Sequence, residues 1–97
     1  MQFDGQFEWD EAKNLANQRK HDVSFELASE VFSDPLHRSL PDRVVEGEQR
    51  WQTIGQVLGI VLLIVAHTYR DDHGEETIRI ISARKATRKE RRDFENC

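Results

Sequence analysis

The sequence predicts an α+β domain with a small, mainly antiparallel sheet and the element order β-α-α-β-β-β-β-α. Three observations carry this prediction. Helical spacing and capping residues are confined to residues 10–33 and 87–96. Between them lie apolar or alternating runs of strand length, and those runs are separated by turn residues rather than by crossover helices.

Phe7-Glu8-Trp9 reads as a short extended segment. Asp10 then offers a carboxylate to the free amides of a first helix turn, so a helix is expected over Glu11 to Lys20. His21-Asp22-Val23 interrupts the pattern. Ser24 caps a second helix, FELASEVFS, in which Phe25, Ala28, Val31 and Phe32 recur at helical spacing until Asp34-Pro35 ends it. Leu36 to Leu40 is read as a weak strand, because Pro41 restricts this region to a sheet edge or a loop. Trp51 to Val57, the Leu58-Gly59 turn and Ile60 to Thr68 form a hairpin. The second of these strands is apolar at both parities, which places it centrally, with cover on both faces. Asp71-Asp72-His73-Gly74 turns the chain into a last strand, Glu76 to Ala83. Thr87 with Glu90 then makes a capping box that starts the final helix.

Ninety-seven residues suit one domain, 1–97, because single cores typically organise roughly 100 to 150 residues. With 37% apolar and 33% charged residues the chain has a modest core and a large ionic surface. The longest apolar run, Ile60 to Ala66, is far short of the roughly 20 residues that span a bilayer. The first residues, MQFDGQFEWDE, lack the basic and apolar regions of a secretory leader, so a cytoplasmic location with no membrane association is expected. The single cysteine, Cys97, excludes an intrachain disulfide and a cysteine-based zinc site. No metal or other cofactor is expected: HExxH, P-loop and GxSxG patterns are missing, and the four histidines share no helical face.

Charge is unevenly distributed. Arg79, Arg84, Lys85, Arg88, Lys89, Arg91 and Arg92 face only Glu90 between positions 79 and 92, a local balance of +6; the whole chain carries −4, so the remainder carries −10. A basic patch on an acidic body suits a protein that meets phosphate at one surface. The final helix has only Phe94 as a strong apolar residue, so a partner surface is expected to hold it.

Within this patch Arg79 stands in Ile78-Arg79-Ile80-Ile81, where an apolar residue would be the default, and therefore needs an ion-pair partner or a ligand. Arg84 leaves the same strand just before a helix N-terminus, so both can meet an anion. Arg50, with Glu48 two residues before it, is either half of a surface pair or part of the site. Together Arg79, Arg84 and Arg50 would bind a phosphate and stabilise a phosphorane, with Glu48 or His67 moving protons. His67 ends the central strand and is either a satisfied boundary residue or a general acid or base. Lys20 and His21, beside Arg19, cap the first helix or contribute to the site. Lys85, Arg88, Lys89, Arg91 and Arg92 are expected to hold RNA.

Three segments, FEWDEAKNLANQRKH (7–21), VSFELASEVFSDP (23–35) and RIISARKATRKER (79–91), closely resemble the BrnT family of toxins from bacterial type II toxin-antitoxin pairs. The resemblance covers nearly the whole chain, and WDxxKxxxNxxKH together with RIISAR is specific to it. It implies a fold similar to the RelE family of ribonuclease toxins and cleavage of RNA that halts translation. It also implies neutralisation in a complex with a BrnA-like antitoxin, which would supply any contact with DNA. Asp22 stands where the family usually has Gly, and Phe94 where Tyr is common. Metal-independent cleavage by the RNA's own 2′-hydroxyl fits the arginine set. A second reading is a non-catalytic nucleic-acid-binding or corepressor module that grips phosphates with its basic helix.

Overall fold

The computed structural model describes residues 7–72 and 74–96. The leader reading of Met1 to Gln6, the turn position of His73 and the Cys97 thiol lie outside the described residues.

The elements follow the expected order: β1 (Phe7–Glu8), α1 (Glu11–His21), α2 (Phe25–Ser29), β2 (Arg38–Val45), β3 (Glu48–Val57), β4 (Val61–Asp72), β5 (Glu75–Lys85) and α3 (Arg88–Glu95). The five strands form one sheet in the order β1-β5-β4-β3-β2, antiparallel except for the β1–β5 pair. β4 is central, as its two-faced apolarity required. Its odd residues Leu63 and Val65 join Val57, Ile80 and Ala83 in a core with Val23, Phe25, Ala28 and Val31 of the α1–α2 side. Leu62 and Ile64, of opposite parity, are also buried.

The capping residues act as the sequence predicts. Asp10 accepts from the Ala12 and Lys13 amides, Ser24 from Leu27, and Thr87 and Glu90 close a reciprocal capping box. Asp22 ends α1 in the left-handed region at φ 60°, the conformation that a glycine would take without strain. Both residues of the Leu58-Gly59 turn have positive φ, 59° and 69°, as a tight type I′ hairpin turn requires.

Three strands have other bounds than expected: β3 starts at Glu48 rather than Trp51, β4 runs from Val61 to Asp72 so that Asp71 and Asp72 belong to the strand rather than to a turn, and β5 extends from Glu75 to Lys85. Two further elements differ in kind or course. The second helix is α only through Ser29 and continues as a 3₁₀ turn over Glu30–Ser33. Val31 is thereby fully buried against β3, where Gly55 lies so close that a β-carbon would stand 2.9 Å from Val31 Cγ1. β2 runs to Val45 through Pro41 rather than stopping at Leu40. An outer strand can carry proline because its N–H side needs no ladder partner, and the register shift between Pro41 and Val44 absorbs the irregularity.

Asparagines fasten α1 to the sheet. Asn17, 7% exposed, donates to Val23 O at 2.9 Å and Ala83 O at 2.8 Å and accepts from the Ala83 amide at 3.2 Å. Asn14 accepts from the Phe25 amide at 2.8 Å. These bonds replace the apolar stripe that α1 lacks.

Candidate functional site

Strand alternation sorts the expected site residues onto two faces. On β4, His67 points to the helix-covered face, where its ring meets Phe32 edge-on at 5.0 Å, so Thr68 points to the other. Thr68 pairs with Arg79 on β5, and Arg79 pairs with Glu8 on β1. Extending the Trp51–His67 pair by one residue puts Arg50 beside Thr68 on β3. One cross-strand row therefore reads Glu8, Arg79, Thr68, Arg50, all on the face opposite the helical core. Glu48 shares this face two residues along β3, about 7 Å by strand rise. Glu48, Gln52 and Ser82, all of this face, are exposed.

The electrostatics of this row are specific. Glu8 accepts from Arg79 Nη1 at 3.2 Å and also from Arg70 Nη1. Partial burial pushes the Glu8 carboxyl upward, but hydrogen bonds from Arg70 and Arg79 outweigh it and hold the group below the usual range. Arg79 thus has the ion-pair partner that its strand position requires, while 39% of its side chain stays exposed. Among the described residues neither Arg50 nor Glu48 has a salt-bridge partner, and Arg50 Nε is buried without a hydrogen bond, as is Thr68 Oγ1.

Arg84 lies elsewhere. It pairs with Ile64, four residues along β4 from Thr68, so about 13 Å of strand separates it from the Arg79 row. The expected convergence of Arg79, Arg84 and Arg50 on one phosphate is corrected on this point: an extra residue in β5 where the register shifts at Ala66/His67 sets the two arginines on the same face but at distant positions. Arg84 instead grips Glu90 with Nη1 and Nη2, both at 2.9 Å. The guanidinium and the Thr87 amide pull the Glu90 carboxyl down to about 2, and the carboxylate in turn raises Arg84 further above its ordinary value.

At the far end of the same row, Arg38–Ile54–Ile64–Arg84, Arg38 sits 4.6 Å over the Phe94 ring and donates to Phe94 O at 3.1 Å. Helix α3 buries no residue of its own. Two arginines on the outer positions of one row hold it across the sheet, and this is the partner surface that its composition required.

His67 is corrected as a proton-transfer residue. It is 0% exposed, on the face away from the arginines, with Nε2 2.6 Å from Thr53 Oγ1, which lies 2.7 Å from Ser39 Oγ. Burial lowers its imidazole to about 4, so it is neutral at physiological pH. Lys85 lies on the helix side, where Asp22 at the end of α1 reaches it at 3.9 Å, and Lys20 and His21 occupy the last turn of that helix. In α3, Lys89 pairs with Asp93 at 3.0 Å and Arg91 with Glu95 at 3.8 Å, while Arg88 and Arg92 have no such partner among the described residues.

Sequence reasoning missed Glu8, Thr68 and Arg38. Their roles arise from cross-strand register, and no local pattern marks them. Among the described residues no three His, Cys, Asp or Glu side chains cluster as metal donors, and no helix is long and apolar enough to cross a membrane.

Comparison with known proteins places these features in context. A family profile described as the ribonuclease toxin BrnT of type II toxin-antitoxin systems matches residues 9–90. The crystal structure of the Brucella abortus ribonuclease toxin BrnT is similar, with a TM-score of 0.64 and 28% sequence identity, covering 82% of this chain and 94% of that one. No curated protein matches the chain.

Proposed function

The chain belongs to the BrnT family of ribonuclease toxins of type II toxin-antitoxin systems, and from that premise we propose that it cleaves RNA on the open sheet face through Arg79, Arg50 and Glu48. The observation that carries this reading is that Arg79 and Arg50 flank Thr68 across β4 on the face away from the helices, with Glu48, Gln52 and Ser82 of that face exposed around them. A phosphodiester seated between them has its developing negative charge met by fixed cations, the largest contribution most such sites make.

The reaction is transesterification. The 2′-hydroxyl attacks the adjacent phosphorus, the 2′-O–P bond forms, and the P–O5′ bond breaks to give a 2′,3′-cyclic phosphate and a 5′-hydroxyl end. Glu48, exposed and about 7 Å along the strand from Arg50, takes the 2′ proton. A proton from solvent reaches the departing 5′ oxygen. No step requires a metal ion. The Arg84–Glu90 pair holds α3 in place, and the α3 cations carry the RNA beyond the cleaved bond.

Translation stops as its RNA is cut. A BrnA-like antitoxin neutralises the protein in a complex that covers the cationic face, and contact with DNA runs through that antitoxin. Lys20, His21 and Lys85, on the helix side, contribute to binding rather than to chemistry.

The test is cleavage of a defined RNA by purified protein in excess EDTA, with induction of the gene in cells alone and with its neighbouring gene. Cleavage that survives the chelator, leaves a cyclic phosphate and disappears in a folded Arg79→Glu variant is the expected result. Full activity in that variant, or loss of wild-type activity with EDTA, rejects the mechanism.

A further inference from the structure

We propose that Thr68 is a phosphate-binding residue: its hydroxyl, with the Nε–H of the Arg50 guanidinium, forms the floor of an oxyanion site between Arg50 and Arg79. The proposal rests on the ribonuclease reading for the identity of the ligand, a phosphodiester of RNA, and on the geometry for the site itself.

Thr68 is 1% exposed, and its Oγ1 makes no hydrogen bond; Arg50 Nε, its neighbour across β3–β4, is buried and unpartnered as well. Buried polar atoms are nearly always paired, because leaving a donor or acceptor dry forfeits its hydration with no return. Of the three buried, unpaired side-chain atoms among the described residues, His67 Nδ1 lies on the helix-covered face, whereas Arg50 Nε and Thr68 Oγ1 occupy adjacent positions on the face that carries the arginines, and that coincidence is informative. Valine has almost the same shape as threonine and suits a strand at least as well, so packing alone gives this hydroxyl no purpose. Both orphan groups have a hydrogen to give, and the side chains flanking Thr68 in the row are arginines, so a cation is repelled and an anion oxygen is favoured. Glu8 engages Arg79 from the β1 side, which orients that guanidinium and leaves 39% of its side chain accessible for a ligand above Thr68. A tetrahedral phosphate group placed there presents one non-bridging oxygen to the hydroxyl and Nε while the guanidinium groups take its charge.

Binding is measured with a 2′-O-methyl RNA oligonucleotide, which presents the same phosphates but cannot cyclise, by fluorescence anisotropy at fixed salt. Thr68→Val is expected to weaken binding about tenfold or more, the effect of losing one hydrogen bond to a charged group, while its melting temperature stays equal to wild type or rises. Thr68→Ser is expected to bind within about threefold of wild type, since the donor is kept. Arg50→Lys, which keeps charge but removes Nε, is expected to lose about as much as Thr68→Val. Wild-type affinity in Thr68→Val overturns the proposal, as do equal losses in the Val and Ser variants accompanied by lowered melting temperatures. A wild-type protein that does not bind the oligonucleotide overturns it too. If the wild type binds with the expected dependence on Thr68 but does not cut unmodified RNA, the oxyanion site stands and the ribonuclease reading falls.

Discussion

Arg38 and Arg84 occupy the outer positions of one cross-strand row, and each holds a different part of α3: Arg84 grips Glu90 in a bidentate pair at 2.9 Å, and Arg38 covers Phe94 at 4.6 Å. The helix is attached by polar contacts rather than by burial. Its loosening is therefore expected to leave the sheet folded.

If Arg84 works as a clamp, removing either end of its pair has one consequence. Arg84→Ala and Glu90→Gln are each expected to speed amide exchange in residues 88–95 about tenfold and to cost about 1 kcal/mol, the modest value of a partly exposed pair with its cap. The double variant should lose no more than the single ones, as coupled partners do. The Glu90 carboxyl lies at about 2, below its ordinary 4.5, so this contribution is complete above pH 4.5 and fades as pH falls toward 2. Hydrogen exchange and denaturation of the three variants check this. Additive losses would show that Arg84 has another partner.

Asn17 carries the α1 attachment. Asn17→Ala leaves Val23 O, Ala83 O and the Ala83 amide without the partners they have now. Buried backbone groups stranded in this way cost about 1 to 3 kcal/mol each before relaxation. A total near 3 kcal/mol is expected, read as a lower urea midpoint at unchanged slope. A loss below about 0.5 kcal/mol, no more than an ordinary surface substitution, would mean that α1 is held by something else.

His67 makes stability depend on pH. Its imidazole is pushed by burial from 6.5 to about 4 in the folded protein. The unfolded chain therefore takes up a proton first, and stability is complete above pH 6.5 and is lost as pH falls through 6.5 toward 4. The loss approaches about 3 kcal/mol at the lower limit. His67→Gln should flatten the curve in this window while RNA cleavage per folded molecule at pH 7.5 stays near wild type. Parallel stability curves for the two proteins between pH 7 and 4 would contradict the assignment, and lost cleavage in the folded variant would return His67 to the mechanism.

These contrasts show what a single sequence discloses. Asp10, Ser24 and the Thr87/Glu90 box were legible because a cap acts over three residues. The central place of β4 was legible because apolarity at both parities has one physical solution. Pro41 obscured β2, since the proline rule distinguishes edge strand from loop only when the neighbouring strand is known. Arg79 and Arg84 were legible as unusual residues, but not as separate positions about 13 Å apart along the sheet, because the register shift at Ala66/His67 is fixed by pairing with β4. The same shift sets which strand residues share a face with Thr68, an ordinary strand residue until its neighbours across the sheet are identified.

The α3 cations divide into two kinds that RNA binding can tell apart. Lys89 and Arg91 already face Asp93 and Glu95 one turn on, at 3.0 and 3.8 Å, whereas Arg88 and Arg92 have no carboxylate partner among the described residues. A phosphate approaching the first pair meets a nearby negative charge, while one approaching the second pair does not. Each phosphate neutralised on a single strand contributes about 0.7 to the slope of log affinity against log salt. The Arg88→Ala/Arg92→Ala protein should therefore lose up to about 1.4 of that slope, and Lys89→Ala/Arg91→Ala clearly less. Anisotropy titrations with the 2′-O-methyl oligonucleotide across a salt series measure both. Equal reductions in the two double variants would show that the helix acts as one undivided patch and that its internal ion pairs open freely for the nucleic acid.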